Sequence, residues 1–188
     1  SIGDGADAAE WEPYALSVLA GVLDGGQSAR FERELVRDKK IASSIGTDYS
    51  SISRSPSMLL IEATPANGHP VAELEQAIRA QIERIKKEPV STDELKRVKA
   101  QVVAENVYGR DSVFYQAMQI GRLAAVGLDW RMIDDFVSKL NAVTADQVQT
   151  VARKYLVDTN LTVAVLDPQP MGKGKRRMAP RVGGTHVR

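Results

Sequence analysis

The chain has 188 residues, 43% of them hydrophobic, enough for one globular domain with a substantial core. Its 25 Lys and Arg set against 24 Asp and Glu give a formal charge of +1, so the body of the chain has no electrostatic bias toward nucleic acid or acidic lipid. Cysteine is absent, which excludes disulfides, thiolate metal sites, iron–sulfur clusters and cysteine nucleophiles without fixing a compartment.

No apolar run approaches the roughly 18 to 20 residues needed to span a bilayer, and the first residues lack the basic-then-apolar order of a signal peptide. Because the chain opens on Ser1 rather than Met, the expectation is a piece of a longer polypeptide.

Over residues 11–23, Tyr14, Ala15, Val18, Leu19, Val22 and Leu23 recur at helical spacing and stop at Asp24-Gly25-Gly26, which predicts an amphipathic helix with a glycine stop. A second short helix is predicted over 28–37. Residues 41–49 and 58–64 read as strands joined by the turn Ser53-Arg-Ser-Pro-Ser57. Five helices follow, over 71–87, 92–108, 112–125, 130–140 and 145–155. Ser91-Thr-Asp-Glu94 and Thr144-Ala-Asp-Gln147 fit capping boxes, in which the hydroxyl accepts from an exposed backbone N–H and the acid or amide reaches back.

The alternating stretch Leu161-Thr-Val-Ala-Val-Leu166 reads as a closing strand. Strands early, helices in the middle and a strand at the end predict an α+β layer fold, with an antiparallel or mixed sheet covered by helices on one face. The organisation expected is one domain over 1–168 and a basic tail over 169–188. That tail carries six Lys and Arg and no acid, so its composition predicts disorder.

The chain holds two histidines, His69 beside Pro70 in a turn and His186 near the end. They cannot form the helical imidazole pair, one turn apart and with an acid for the water proton, that a helix-borne zinc site needs. A Ser-His-Asp arrangement would have to recruit one of the same two. Asp134-Asp135 and Asp93-Glu94 bring acids together, but neighbours on a helix point about 100° apart and do not converge on one atom. Both read as solvated helix starts favoured by the macrodipole. Gly25-Gly26-Gln27-Ser28 opens a helix as an anion-binding turn would, yet it fits neither a Walker loop nor a dinucleotide fingerprint.

The segment Leu23-Asp-Gly-Gly-Gln-Ser-Ala-Arg30-Phe-Glu-Arg-Glu-Leu35-Val-Arg-Asp-Lys-Lys-Ile41-Ala-Ser-Ser-Ile45 resembles pitrilysin/insulinase-type zinc peptidases, in which a helix, a Gly-Gly turn, a Ser-x-Arg start and an Arg-Glu-Lys-rich helix end lead into the first long strand. The later order is similar too, through Ser91-Thr-Asp-Glu-Leu-Lys-Arg-Val-Lys99, Val143-Thr-Ala-Asp-Gln-Val-Gln-Thr-Val-Ala-Arg-Lys-Tyr-Leu156 and 161–166. The resemblance covers about residues 10–167.

In that family two homologous α+β half-domains close around an unfolded peptide. The resemblance implies that this chain is the C-terminal, non-metal-binding half of a zinc metalloendopeptidase, a wall of the substrate chamber with no catalytic or metal-ligating residue of its own. Zinc, the water it activates and the glutamate base would belong to an absent N-terminal half. The family's substrate-holding arginine and tyrosine fall on Val36 and Ser43, or on Arg37 and Ser44 if the alignment slides by one, so that pair is missing. The nearest resemblance is to the zinc-carrying subunit of two-subunit bacterial members, with a homologous partner subunit supplying the pair. Export to the periplasm is the expectation for such bacterial members, with a cytoplasmic alternative. Two alternatives stay open: a structural or assembly homologue without peptidase activity, and an independent hydrolase working through carboxylates.

Overall fold

The first helix, α1 (Glu12–Asp24), buries eight of its 13 side chains, among them Leu16, Val18, Leu19, Val22 and Leu23. A helix apolar on nearly every side belongs inside a domain, and α1 is the central rod of this one rather than an amphipathic surface helix. Pro13 stands in its first turn, where a missing N–H costs nothing. The computed structural model describes residues 9–52, 57–109 and 112–168. His186, most of the expected 53–57 turn and the basic tail over 169–188 lie outside the described residues.

After α1 the chain turns at Gly26, whose φ of +82° suits glycine and strains other residues. The expected short helix takes instead the form of a π-helical turn (Glu32–Asp38), with the Lys39 N–H donating to the Glu34 carbonyl five residues back. The turn buries Leu35 and ends at Lys40, a non-glycine residue at φ +54°.

Strands β1 (Ala42–Asp48) and β2 (Leu60–Pro65) then pair antiparallel. Ala42 pairs with Pro65 and Ser44 with Thr64, so Ser43 is the extra residue of a β-bulge. Ile45 and Ile61 pack on the core, whereas Ser44, Glu62 and Thr64 are exposed.

The remaining helices are α2 (Val71–Lys87), α3 (Thr92–Gly109), α4 (Val113–Ala125), α5 (Met132–Ala142) and α6 (Ala145–Tyr155). α1 packs against α6, α3, α5 and β1, and α2 joins α6 and β2. Close approach of α1 to α3 depends on Gly21, since a Cβ there would sit 2.7 Å from Val98 Cγ1. The capping box expected at α6 forms in full, between Thr144 and Gln147, and at α4 Ser112 accepts from the Tyr115 N–H. Fully buried Phe31, Leu16, Leu19, Leu23 and Leu35 each contribute about 1.5–3 kcal/mol by leaving water.

The result is a helix-rich α+β fold with a small antiparallel sheet, and one sequence-based expectation fails in it. Residues 161–166 form no strand: they are irregular and exposed throughout, because a strand exists only by pairing and β1 and β2 pair only with each other among the described residues. A mixed sheet is therefore not formed there either.

Candidate functional site

The positions singled out by sequence have structural occupations. Val36, on the π-helical turn, is half-buried against the core, and Arg37 beside it is exposed. Ser43 is exposed at the bulge, and its Oγ donates to the carbonyls of Thr64 (3.2 Å) and Pro65 (3.3 Å). The hydroxyl thereby ties the bulge to the backbone of the partner strand. Ser44 is exposed on the neighbouring position.

His69 lies in the loop before α2, its Nδ1 2.8 Å from Glu73 Oε2. No group of three His, Cys, Asp or Glu that could hold a metal ion occurs among the described residues. With one described histidine, already engaged by a neighbouring carboxylate, this donor set does not fit zinc.

Glu94 departs from the expected role. The Ser91 Oγ does accept from the Glu94 N–H at 3.3 Å, but the Glu94 carboxylate grips Arg30 instead, with Nε at 2.9 Å and Nη2 at 2.8 Å. Both side chains are largely buried, so Glu94 is a forked ion-pair partner tying the start of α3 to the turn after α1, not a solvated helix-start acid. Burial pushes its carboxyl up, but the Arg30 bonds outweigh this and hold it below its ordinary value. Asp93 and Asp135 are exposed, as expected for solvated acids.

Two further carboxylates do comparable work and were not singled out by the sequence. Glu34 accepts from Gln81 Nε2 (2.6 Å) and from Arg84 Nη2 (2.5 Å) and Nη1 (3.1 Å), joining the π-helical turn to α2. Burial opposes its charge, but the bonds from Arg84, Arg33 and Gln81 prevail and lower its pKa to about 2. Glu12 is buried and accepts from Lys154, the Tyr155 hydroxyl and the Ala9 N–H, clamping α1 to α6. Burial again raises the carboxyl, and these donors together bring it below its usual value. Glutamates 12, 34 and 94 each bond residues far away in sequence, which no local spacing announces.

One open cleft of about 750 Å³ lies between α1, α3, α4, α5 and the end of β1. Tyr14, Gln101, Tyr115, Arg122 and Phe136 help line it, and Asp24 at its base accepts from the Thr47 N–H at 2.8 Å. Glu10 and Lys139, also on its wall, form an ion pair at 2.5 Å. No helix among the described residues is long and apolar enough to cross a membrane.

Comparison with known proteins identifies the family. Residues 4–102, more than half of the chain, match the family described as Peptidase M16 inactive domain. Two curated relatives are the uncharacterized zinc protease YmxG of Bacillus subtilis, 24% identical over 155 residues, and the uncharacterized zinc protease SCO5738 of Streptomyces coelicolor, 25% identical over 145 residues. The matches take in 82% and 76% of this chain but 37% and 31% of those proteins, so the chain spans about a third of their length.

Among solved structures, the inactive peptidase domain of a candidate zinc protease from Bordetella parapertussis aligns with a TM-score of 0.73 at 21% identity, covering 91% of this chain and 89% of that one. A protease from Helicobacter pylori also gives 0.73, at 20% identity, over 85% of this chain and 37% of that one. These likenesses establish the shared fold. The chain belongs to the peptidase M16 family, the pitrilysin/insulinase type that its sequence resembles, as an inactive, non-catalytic domain.

Proposed function

We propose that this chain is the C-terminal half of a zinc metalloendopeptidase and forms part of the wall that encloses a peptide substrate. The observation that carries the reading is the match to an inactive peptidase domain in a chain whose described residues offer no ligand set for a metal. The N-terminal half of the same polypeptide would hold zinc and the catalytic groups. This chain's own contribution is steric and positional: it shapes the chamber and excludes bulk water. Val36 and Ser43 offer no arginine or tyrosine to grip substrate, so those contacts fall to a homologous partner subunit. Residues 1–168 are read as the half-domain and 169–188 as a basic tail.

Elemental analysis and peptide cleavage, measured on the full-length protein and on this chain alone, test the reading. The full-length protein should carry one zinc and cleave peptides, and this chain should do neither. Zinc retained by the isolated chain through dialysis against a chelator, with cleavage, would overturn it. A full-length protein with no zinc and no cleavage would leave the assembly homologue as the better account.

A further inference from the structure

The cleft between α1, α3, α4, α5 and the end of β1 collects polar groups that the fold leaves unused. Tyr14 lines it and is only 6% exposed, yet its hydroxyl has no hydrogen-bond partner among the described residues. The ring is held in place, tilted against Phe136 with centroids 5.7 Å apart. Thr47, also on the wall, buries its Oγ1 without a partner. Gln101 on α3 and Gln119 on α4 are half-buried in the lining, and neither amide is engaged among the described residues. Polar groups held out of bulk water are normally satisfied, so their convergence here points to a ligand that satisfies them. A volume of about 750 Å³ is that of a small-ligand site rather than of a few bound waters.

The charges on the walls set the polarity of that ligand. Lys139 is paired with Glu10, and Asp24 accepts from the Thr47 N–H. Arg122, on the same face of α4 as Gln119, lines the cleft with no ion-pair partner among the described residues. Its guanidinium only donates, through a fork that fits a carboxylate. The amides of Gln101 and Gln119 both donate and accept, as pairing with a peptide group requires. We infer that this cleft is a peptide-binding site, whose occupant places a carboxylate on Arg122 while its main chain bonds Gln101, Gln119 and the Tyr14 hydroxyl. The carboxylate belongs to an acidic side chain or to a free C-terminus. Asp24 and Asp48, at the β1 end, repel a second negative group, so the occupant is singly acidic. The inference concerns binding alone and needs neither zinc nor cleavage.

Fluorescence anisotropy with labelled tetrapeptides tests this, on the full-length protein with zinc chelated and on this chain. The probes are Ala-Ala-Phe-Glu with an amidated end, Ala-Ala-Phe-Ala with a free carboxylate, and amidated Ala-Ala-Phe-Gln. One of the two acidic probes should bind at least about tenfold more tightly than the neutral one, and which does so names the source of the carboxylate. Arg122→Met should remove the preference, and Tyr14→Phe should weaken binding about threefold while keeping the ring packing. Arg131→Met, at an exposed arginine paired with Asp129 outside the cleft, should leave binding unchanged. Equal binding of the three probes, or a preference that survives Arg122→Met, overturns the inference. So does the absence of binding up to about millimolar peptide. Binding by this chain that the full-length protein lacks overturns it too, since the cleft would then be filled by the rest of the polypeptide.

Discussion

Helices α1 and α4 are both 13 residues long and both rich in apolar side chains, yet α1 buries eight residues and α4 one. The contrast lies in what surrounds them. α1 is enclosed by α3, α5, α6 and β1, and polar clamps hold its neighbourhood together: Glu12 to α6, Arg30 to Glu94 at the start of α3, and Glu34 to α2. α4 turns its polar side inward and meets solvent with Val113, Phe114 and Met118. Apolar content therefore says that a helix needs a partner. It does not say whether the partner lies in the same domain.

The largest effect is expected at the rod. Leu19→Ala, at a fully buried position, should cost about 3–5 kcal/mol in denaturant unfolding, through lost transfer energy and an unfilled cavity. A cost under 1 kcal/mol would mean that α1 is not the organising element. Glu34→Gln should cost about 2 kcal/mol near neutral pH, because a largely buried carboxylate accepting charged hydrogen bonds loses its charge.

The pH dependence of stability should share this origin. The Glu34 pKa falls from 4.5 unfolded to about 2 folded, so its stabilisation is fully present above 4.5 and is lost as pH drops toward 2. Glu12 and Glu94, also lowered, act in the same direction below 4.5. Unfolding followed by circular dichroism between pH 5 and 2 should show a clear loss of stability that is shallower in Glu34→Gln.

Gly21→Ala should cost about 1–3 kcal/mol by forcing α1 from the Val98 side chain of α3, readable as a lowered midpoint with unchanged slope. Thr144→Ala should cost about 1 kcal/mol by removing the capping box of α6. At the other end of the comparison, Phe114→Ser in this chain alone should change stability by less than about 0.5 kcal/mol despite the size of the side chain removed. A large loss there would show that α4 already packs inside this domain and would erase the contrast with α1.

Much of this fold was legible from local rules. The helices over 71–87 and 145–155 match their predicted spans end to end, because hydrophobic period and capping chemistry both act within a few residues. The β1–β2 pair was legible for a similar reason, being close in sequence. The closing strand over 161–166 was misread because its alternation describes a segment able to pair, and pairing requires a neighbour. Glu94 was misread because its local capping role was weighed without Arg30, 64 residues away.

The sequence by itself determined most of the helices, the α6 cap, the hairpin and the kinship with the peptidase M16 inactive domain, because propensity, period and residue inventory are properties of short stretches. Only the tertiary structure decided which apolar helix became the core, which carboxylates found distant partners, and that Ser43 sits at a bulge serving backbone carbonyls. Each of those depends on contacts between residues far apart in the chain, whose desolvation and geometry no local pattern encodes.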